Sequence, residues 1–175
     1  RLNTDQRFFK LGAGCIIRAD LEIALPRPVA VQTEDKTMEA IVDVAPVNTM
    51  LIAALLGLMK LALGISVTKY RFQHKIMWGD ASDDRMARRI RAHANFTEWV
   101  PGTLILLGLI EMMGISPIIV AILGIMLIIA RTLHALGLMG NAESFNRATG
   151  IVINWATLGL ASLIGIVEFF YPGTF

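Results

Sequence analysis

One cysteine in 175 residues, Cys15, excludes an intramolecular disulfide framework. Zinc-ligand spacings are missing, as are the His-x-x-His and Glu-x-x-His patterns of metal sites in helical bundles, so no metal centre is expected. Basic runs interleaved with aromatic residues are absent and the formal net charge is only +2, which excludes the usual footprint of a nucleic-acid binder. Alternating segments of about ten residues, the mark of a transmembrane barrel, are also lacking.

What remains is apolar. Hydrophobic residues make up 55% of the chain, charged residues 17%, and the mean hydropathy is +0.61, too high for an ordinary soluble domain of this size. A bilayer core of about 30 Å is crossed by about 20 helical residues, and four segments reach that length. The first runs from about Val47 to Tyr70 with one charge, Lys60. The second begins as a polar helix near Asp83, turns apolar at Val100 and continues to Met113. The third covers Ile115 to Met139, and the fourth runs from about Arg147 to Tyr171. The expected fold is an all-α integral membrane four-helix bundle over residues 46–175. Gly114-Ile115-Ser116-Pro117 reads as a tight turn, making the second and third helices antiparallel neighbours. Residues 1–45 form a tail with no long apolar run. Met38 directly precedes the patterned region, and translation is expected to start there.

Charge placement sets the expected orientation, because cytoplasmic loops retain lysine and arginine near helix ends. Lys69, Arg71, Lys75, Arg85, Arg88, Arg89, Arg91 and Arg147 fall on one side, whereas the opposite turn and the segment 171–175 have none. The basic loops are therefore expected to be cytoplasmic.

The most informative stretch is Arg88-Arg89-Ile90-Arg91-Ala92-His93-Ala94-Asn95-Phe96-Thr97-Glu98-Trp99-Val100-Pro101. Arg88, Arg91, Asn95 and Glu98 recur at helical spacing and form one polar stripe on a helix that is entering lipid. Charge at membrane depth is costly, so such a stripe either glues helices together or faces a wet cavity and binds something. Pro101 should kink the second helix one turn above Glu98. Arg131 and His134 share a face of the third helix, from which they can approach Glu98. For His134 a helix-to-helix hydrogen bond competes with a ligand contact. Lys60 either snorkels or pairs with Glu111 or Glu168. Gly57, Gly64, Gly159 and Gly165 are expected to permit close helix approach. The sequon Asn95-Phe96-Thr97 falls inside the second helix and is a chance match.

These residues resemble the MAPEG family, the membrane-associated proteins in eicosanoid and glutathione metabolism, over Val47 to about Phe170. Arg91-Ala92-His93-Ala94-Asn95-Phe96-Thr97-Glu98 followed by Pro101 is similar to the family's Arg-Ala-His-x-Asn-x-x-Glu signature, with Arg131-x-x-His134 on the next helix; Asn95-Phe96-x-Glu98-x-x-Pro101 and Glu111 resemble the bacterial branch, which implies a bacterial inner membrane. The resemblance implies a homotrimer that holds glutathione, as co-substrate, between subunits near the cytoplasmic face, while lipophilic small molecules enter from the membrane lipid. It also implies that Lys69 or Arg71 matches a basic position ending the first helix. Arg91, Asn95 and Glu98 match the peptide-binding stripe, joined here by the flanking Arg88 and by Arg131; His134 matches a contact on the third helix, and Arg147 the arginine that stabilises the thiolate.

The chemistry is consistent with that implication. Glutathione carries two carboxylates, one ammonium and a thiol that reacts as the anion, so its site calls for several cations and one acid. Arginine forks suit carboxylates, Glu98 suits the ammonium, and Arg147 adds charge at a helix start that is already positive. The chain departs from the pattern at Leu138 and Ile151, where several family enzymes have tyrosines, and at Ala148, where some have a serine. Two readings follow: a glutathione transferase or peroxidase acting on lipophilic electrophiles, or a non-catalytic binding or scaffold protein of the same fold.

Overall fold

The computed structural model describes residues 45–140 and 144–175. The expectations for the N-terminal tail and for a start at Met38 fall outside those residues. Four helices follow one another: α1 (Val47–His74), α2 (Asp84–Met112), α3 (Pro117–Met139) and α4 (Phe145–Phe170). Helices α1, α3 and α4 are each long and apolar enough to cross a membrane. The fold is an all-α membrane bundle, as the hydropathy runs require.

Helix α1 runs one turn beyond the Tyr70 expected from hydropathy, because Arg71-Phe72-Gln73-His74 contains no helix breaker and polarity alone does not end a helix. Lys75 then adopts a left-handed conformation at φ 55°. Asp83 opens α2 as its N-cap, accepting a hydrogen bond from the Met86 amide at 2.9 Å. That bond holds the Asp83 carboxyl below the usual carboxylate range. The Tyr70 hydroxyl donates to the same carboxylate at 3.1 Å, His74 stacks on Tyr70 at 4.1 Å, and the Arg89 guanidinium lies 4.9 Å from the Tyr70 ring centre. The basic end of α1 is thereby fastened to the start of α2.

At the other end Gly114, at φ 89°, closes α2 by donating to the Glu111 carbonyl at 3.0 Å, and Pro117 starts α3 at its first position. Glu111 itself reaches across to α1. Its carboxylate accepts from the Asn48 amide at 2.8 Å, the Asn48 side chain at 3.0 Å and the Thr49 amide at 2.8 Å. The first turn of α1 thus receives its cap from a neighbouring helix, where Pro46 offers none. Glu168 accepts from the Gly173 amide. Both acids proposed as partners for Lys60 are therefore engaged elsewhere, and Lys60 is exposed on α1.

The interior is built on Leu56, Phe96, Leu107, Ile110, Val120 and Leu127. Lipid is as apolar as these side chains, so cohesion comes from close packing more than from burial, and small residues decide where backbones meet. Those residues are Gly124, Gly137 and Gly150, and not the glycines expected from sequence. A Cβ on Gly124 would overlap Ile52 of α1. One on Gly137 would lie 2.6 Å from the Arg147 amide, and one on Gly150 would lie 2.6 Å from both the Ala130 carbonyl and the His134 amide. Gly57 and Gly159 have nothing within 4 Å of such a Cβ and face outward; Gly64 and Gly165 make only side-chain contacts. Spacing within one helix cannot show which glycine another helix crosses.

Candidate functional site

Helix α2 carries the polar stripe directly before its apolar part. Its apolar part, Val100 to Met112, rises about 20 Å, short of the roughly 30 Å of a hydrocarbon core. A crossing by α2 would include the preceding two turns, which carry Asn95 and Glu98.

The stripe divides in two. Arg91 and Glu98 face outward on the protomer, with side chains 63% and 51% exposed, and their charged groups meet at 3.6 Å. Asn95 lies between them, half-buried, and turns inward: its Oδ1 accepts from Arg131 Nη1 of α3 at 3.0 Å. The hydrogen bond of Arg131 is thus to Asn95, one helical turn from Glu98 and on the inner side. It is only 3% exposed, and its Nε has no hydrogen-bond partner. A buried guanidinium with a single neutral side-chain partner is an unusual arrangement, since buried cations are normally paired.

His134 follows one turn after Arg131 and is also buried. Its Nδ1 lies 3.4 Å from the Arg147 carbonyl, and because a carbonyl can only accept, Nδ1 carries the hydrogen in this contact. The helix-to-helix bond competing for His134 in the sequence is thus present, made to the first turn of α4. Gly137 and Gly150 permit it by bringing α3 and α4 into backbone contact. Arg131 with Asn95 and His134 with Arg147 therefore make neighbouring contacts one turn apart on α3, and Arg91 with Glu98 flanks Asn95 on the outer side.

The others lie apart. Arg88 donates to the Gly140 carbonyl at 3.1 Å and to the Asp84 carbonyl at 3.2 Å, tying α2 to the end of α3. Lys69 is exposed and lines a groove of about 790 Å³ along α1, together with Lys60, Gly64, Thr68, Phe72 and His93. Arg71 is half-buried at the end of α1 and is not part of that lining. A second cavity of about 200 Å³ shares Gly57 and Lys60 with the first and is closed by Phe96, Val100 and Pro101 of α2. Pro101 thus borders a cavity, on the α1 side. Neither cavity is lined by Arg91, Asn95 or Glu98. Among the described residues no cluster of histidine, cysteine and acidic side chains could hold a metal ion.

Sequence reasoning missed the capping role of Glu111 and the Tyr70–Asp83 fastening. An N-cap signal was available in Asp83-Asp84 ahead of the helical run, whereas the Glu111 contact spans 62 residues and leaves no local trace.

Comparison with known proteins gives two findings. The model of the MAPEG family matches residues 49–167. The chain is also 28% identical over 116 residues to inner membrane protein YecN of Escherichia coli K12, covering 66% of this chain and 88% of the relative, with the same figures for YecN of Escherichia coli O6:H1.

Proposed function

The chain belongs to the MAPEG family, and from that premise we propose that it is a glutathione-dependent enzyme of transferase or peroxidase type acting on lipophilic electrophiles. The observation that carries this reading is the polar stripe of α2 with its inner partners: Arg91 on Glu98 outside, Arg131 on Asn95 inside, and His134 against the first turn of α4, where Arg147 stands. A cation-rich cluster with one acid matches a tripeptide bearing two carboxylates, one ammonium and a thiolate.

In this reading Arg91 and Glu98 bind the peptide's charged groups, and Arg147, in the first turn of α4, stabilises the thiolate together with the positive helix end. Conjugation forms a bond from sulfur to an electrophilic carbon; the displaced group leaves with its electron pair, and the thiol proton passes to water. Peroxide reduction instead consumes two glutathione molecules, yielding their disulfide, an alcohol and water. The grooves beside Lys60 open outward along α1 and suit a lipophilic substrate arriving from the membrane lipid.

Arg91 and Glu98 are uncovered on one protomer, and Glu98 stands within the two turns that a crossing by α2 would include, where exposed charge is costly. A homotrimer, in which a neighbouring copy covers this face, removes that cost and completes the site. The location is the inner membrane, as in the printed name of the relative, with the basic loops cytoplasmic.

The test is the ultraviolet absorbance of thiolate on adding glutathione to the purified protein. A saturable rise at neutral pH is expected, and no binding at millimolar glutathione removes the proposal. Buried Leu138, half-buried Ile151 and exposed Ala148 favour a second reading as a non-catalytic binding or scaffold protein, because no hydroxyl stands at those three places. Glutathione turnover that disappears in Arg147→Ala rejects that second reading.

A further inference from the structure

The carboxamide of Asn95 has two chemically different ends, one accepting and one donating, and an isolated asparagine presents either with equal ease. Arg131 removes that freedom. A guanidinium is donor-only, so the 3.0 Å contact from Nη1 has to meet Oδ1; the reversed amide would set N–H against N–H. The constraint is strong because Arg131 is 3% exposed and lacks water to turn to. Its Nε is already without a partner, so Asn95 is its one side-chain hydrogen bond among the described residues.

Planarity of the amide then directs Nδ2 away from Arg131. This group makes no hydrogen bond among the described residues, and Asn95 is itself half-buried between Arg91 and Glu98 on the stripe. We propose that Arg131 is a positioning residue that locks Asn95 as a hydrogen-bond donor, so that the ligand atom bound there is an acceptor oxygen, a carboxylate or a carbonyl, and never the ammonium. The inference rests on the glutathione reading and deepens it. It orders the stripe by polarity: Arg91 and Asn95 give hydrogen bonds and Glu98 receives them, so a zwitterion can lie along α2 in one sense only.

Two arms test it on the full chain in detergent. Without ligand, Asn95→Asp keeps the shape and supplies the carboxylate that Arg131 lacks, so its unfolding midpoint should equal or exceed the parent's, while Asn95→Ala should fall below it. An Asn95→Asp midpoint as low as that of Asn95→Ala overturns the assigned contact. With glutathione, measured by calorimetry, Asn95→Asp should bind about tenfold or more weakly, having lost its donor and gained a repelling charge. Arg131→Lys, still donor-only, should bind within about threefold of the parent, and Arg131→Met about tenfold more weakly.

Equal affinity in the parent and in Asn95→Asp overturns the donor assignment. A folded Arg131→Met with parental affinity reduces Arg131 to a structural role and overturns its positioning. Should Arg131→Met not fold, the Asn95→Asp comparison decides alone. A parent without affinity for glutathione overturns the functional reading itself, and the ligand-free midpoints still tell whether Arg131 holds Oδ1.

Discussion

Replacing Gly150 by alanine should separate α3 from α4, and the size of the effect follows from the packing. The new Cβ would lie 2.6 Å from two backbone atoms, the Ala130 carbonyl oxygen and the His134 amide nitrogen, where ordinary contact begins at 3.4 Å. Neither atom sits on a side chain that can swing aside, so the helices must part by about 0.8 Å, the difference between those distances. Such overpacking costs about 1–3 kcal/mol, offset by about 1 kcal/mol from alanine's better helix propensity. Gly159→Ala is the control on the same helix. It has nothing within 4 Å of the added atom and should gain the propensity term without the clash. The two variants should therefore differ by about 2 kcal/mol, roughly 4–8 °C in thermal midpoint for a chain of this length. Separation also lengthens the His134–Arg147 contact, already 3.4 Å, so glutathione affinity should fall in Gly150→Ala and hold in Gly159→Ala. Thermal unfolding in detergent with calorimetry on both proteins gives the answer. Equal midpoints would refute the reasoning that backbone contact at Gly150 sets the spacing of α3 and α4.

Removal of the Glu111 carboxylate in Glu111→Ala strips three hydrogen bonds from the first turn of α1 and should cost about 2 kcal/mol, with Glu111→Gln losing less because it keeps an acceptor; hydrogen exchange at residues 48–50 should rise in the alanine variant first. The Asp83 cap gives a pH dependence of definite sign. Its carboxyl titrates lower when folded than when unfolded, so its contribution is whole above the unfolded value of about 4 and is lost as pH falls through the folded value. The midpoint gap between the parent and Asp83→Ala should thus be constant near neutrality and close in acid; a gap that widens in acid contradicts this. Lys60→Met removes a cation from an apolar groove while its candidate acidic partners are engaged elsewhere, so the unfolding midpoint should hold or rise, and a clear fall would reveal a partner for Lys60.

The helices were legible because a bilayer demands long apolar runs, and Val47, Pro117 and Met139 lie at or near the expected bounds. Pairings between helices were not. Spacing puts Arg131 and His134 on one face, but whether Arg131 meets Asn95 or Glu98 depends on the rotation of α3 against α2. That rotation is set by packing around residues such as Leu107 and Val120. Glycine roles escaped for the same reason. Gly150 and Gly159 look alike in sequence and differ only in what crosses them. Glu111 was visible as an intramembrane acid, yet its duty to the amides of Asn48 and Thr49 appears only once α1 and α2 are set side by side.

A structure determined with glutathione tests the central claim most directly. The account predicts an assembly of copies with the peptide at a subunit seam, its charged groups on Arg91 and Glu98, an acceptor oxygen on Asn95 Nδ2, and its sulfur facing Arg147. An Arg91–Glu98 face lying bare against acyl chains, with no peptide bound beside it, would contradict the account.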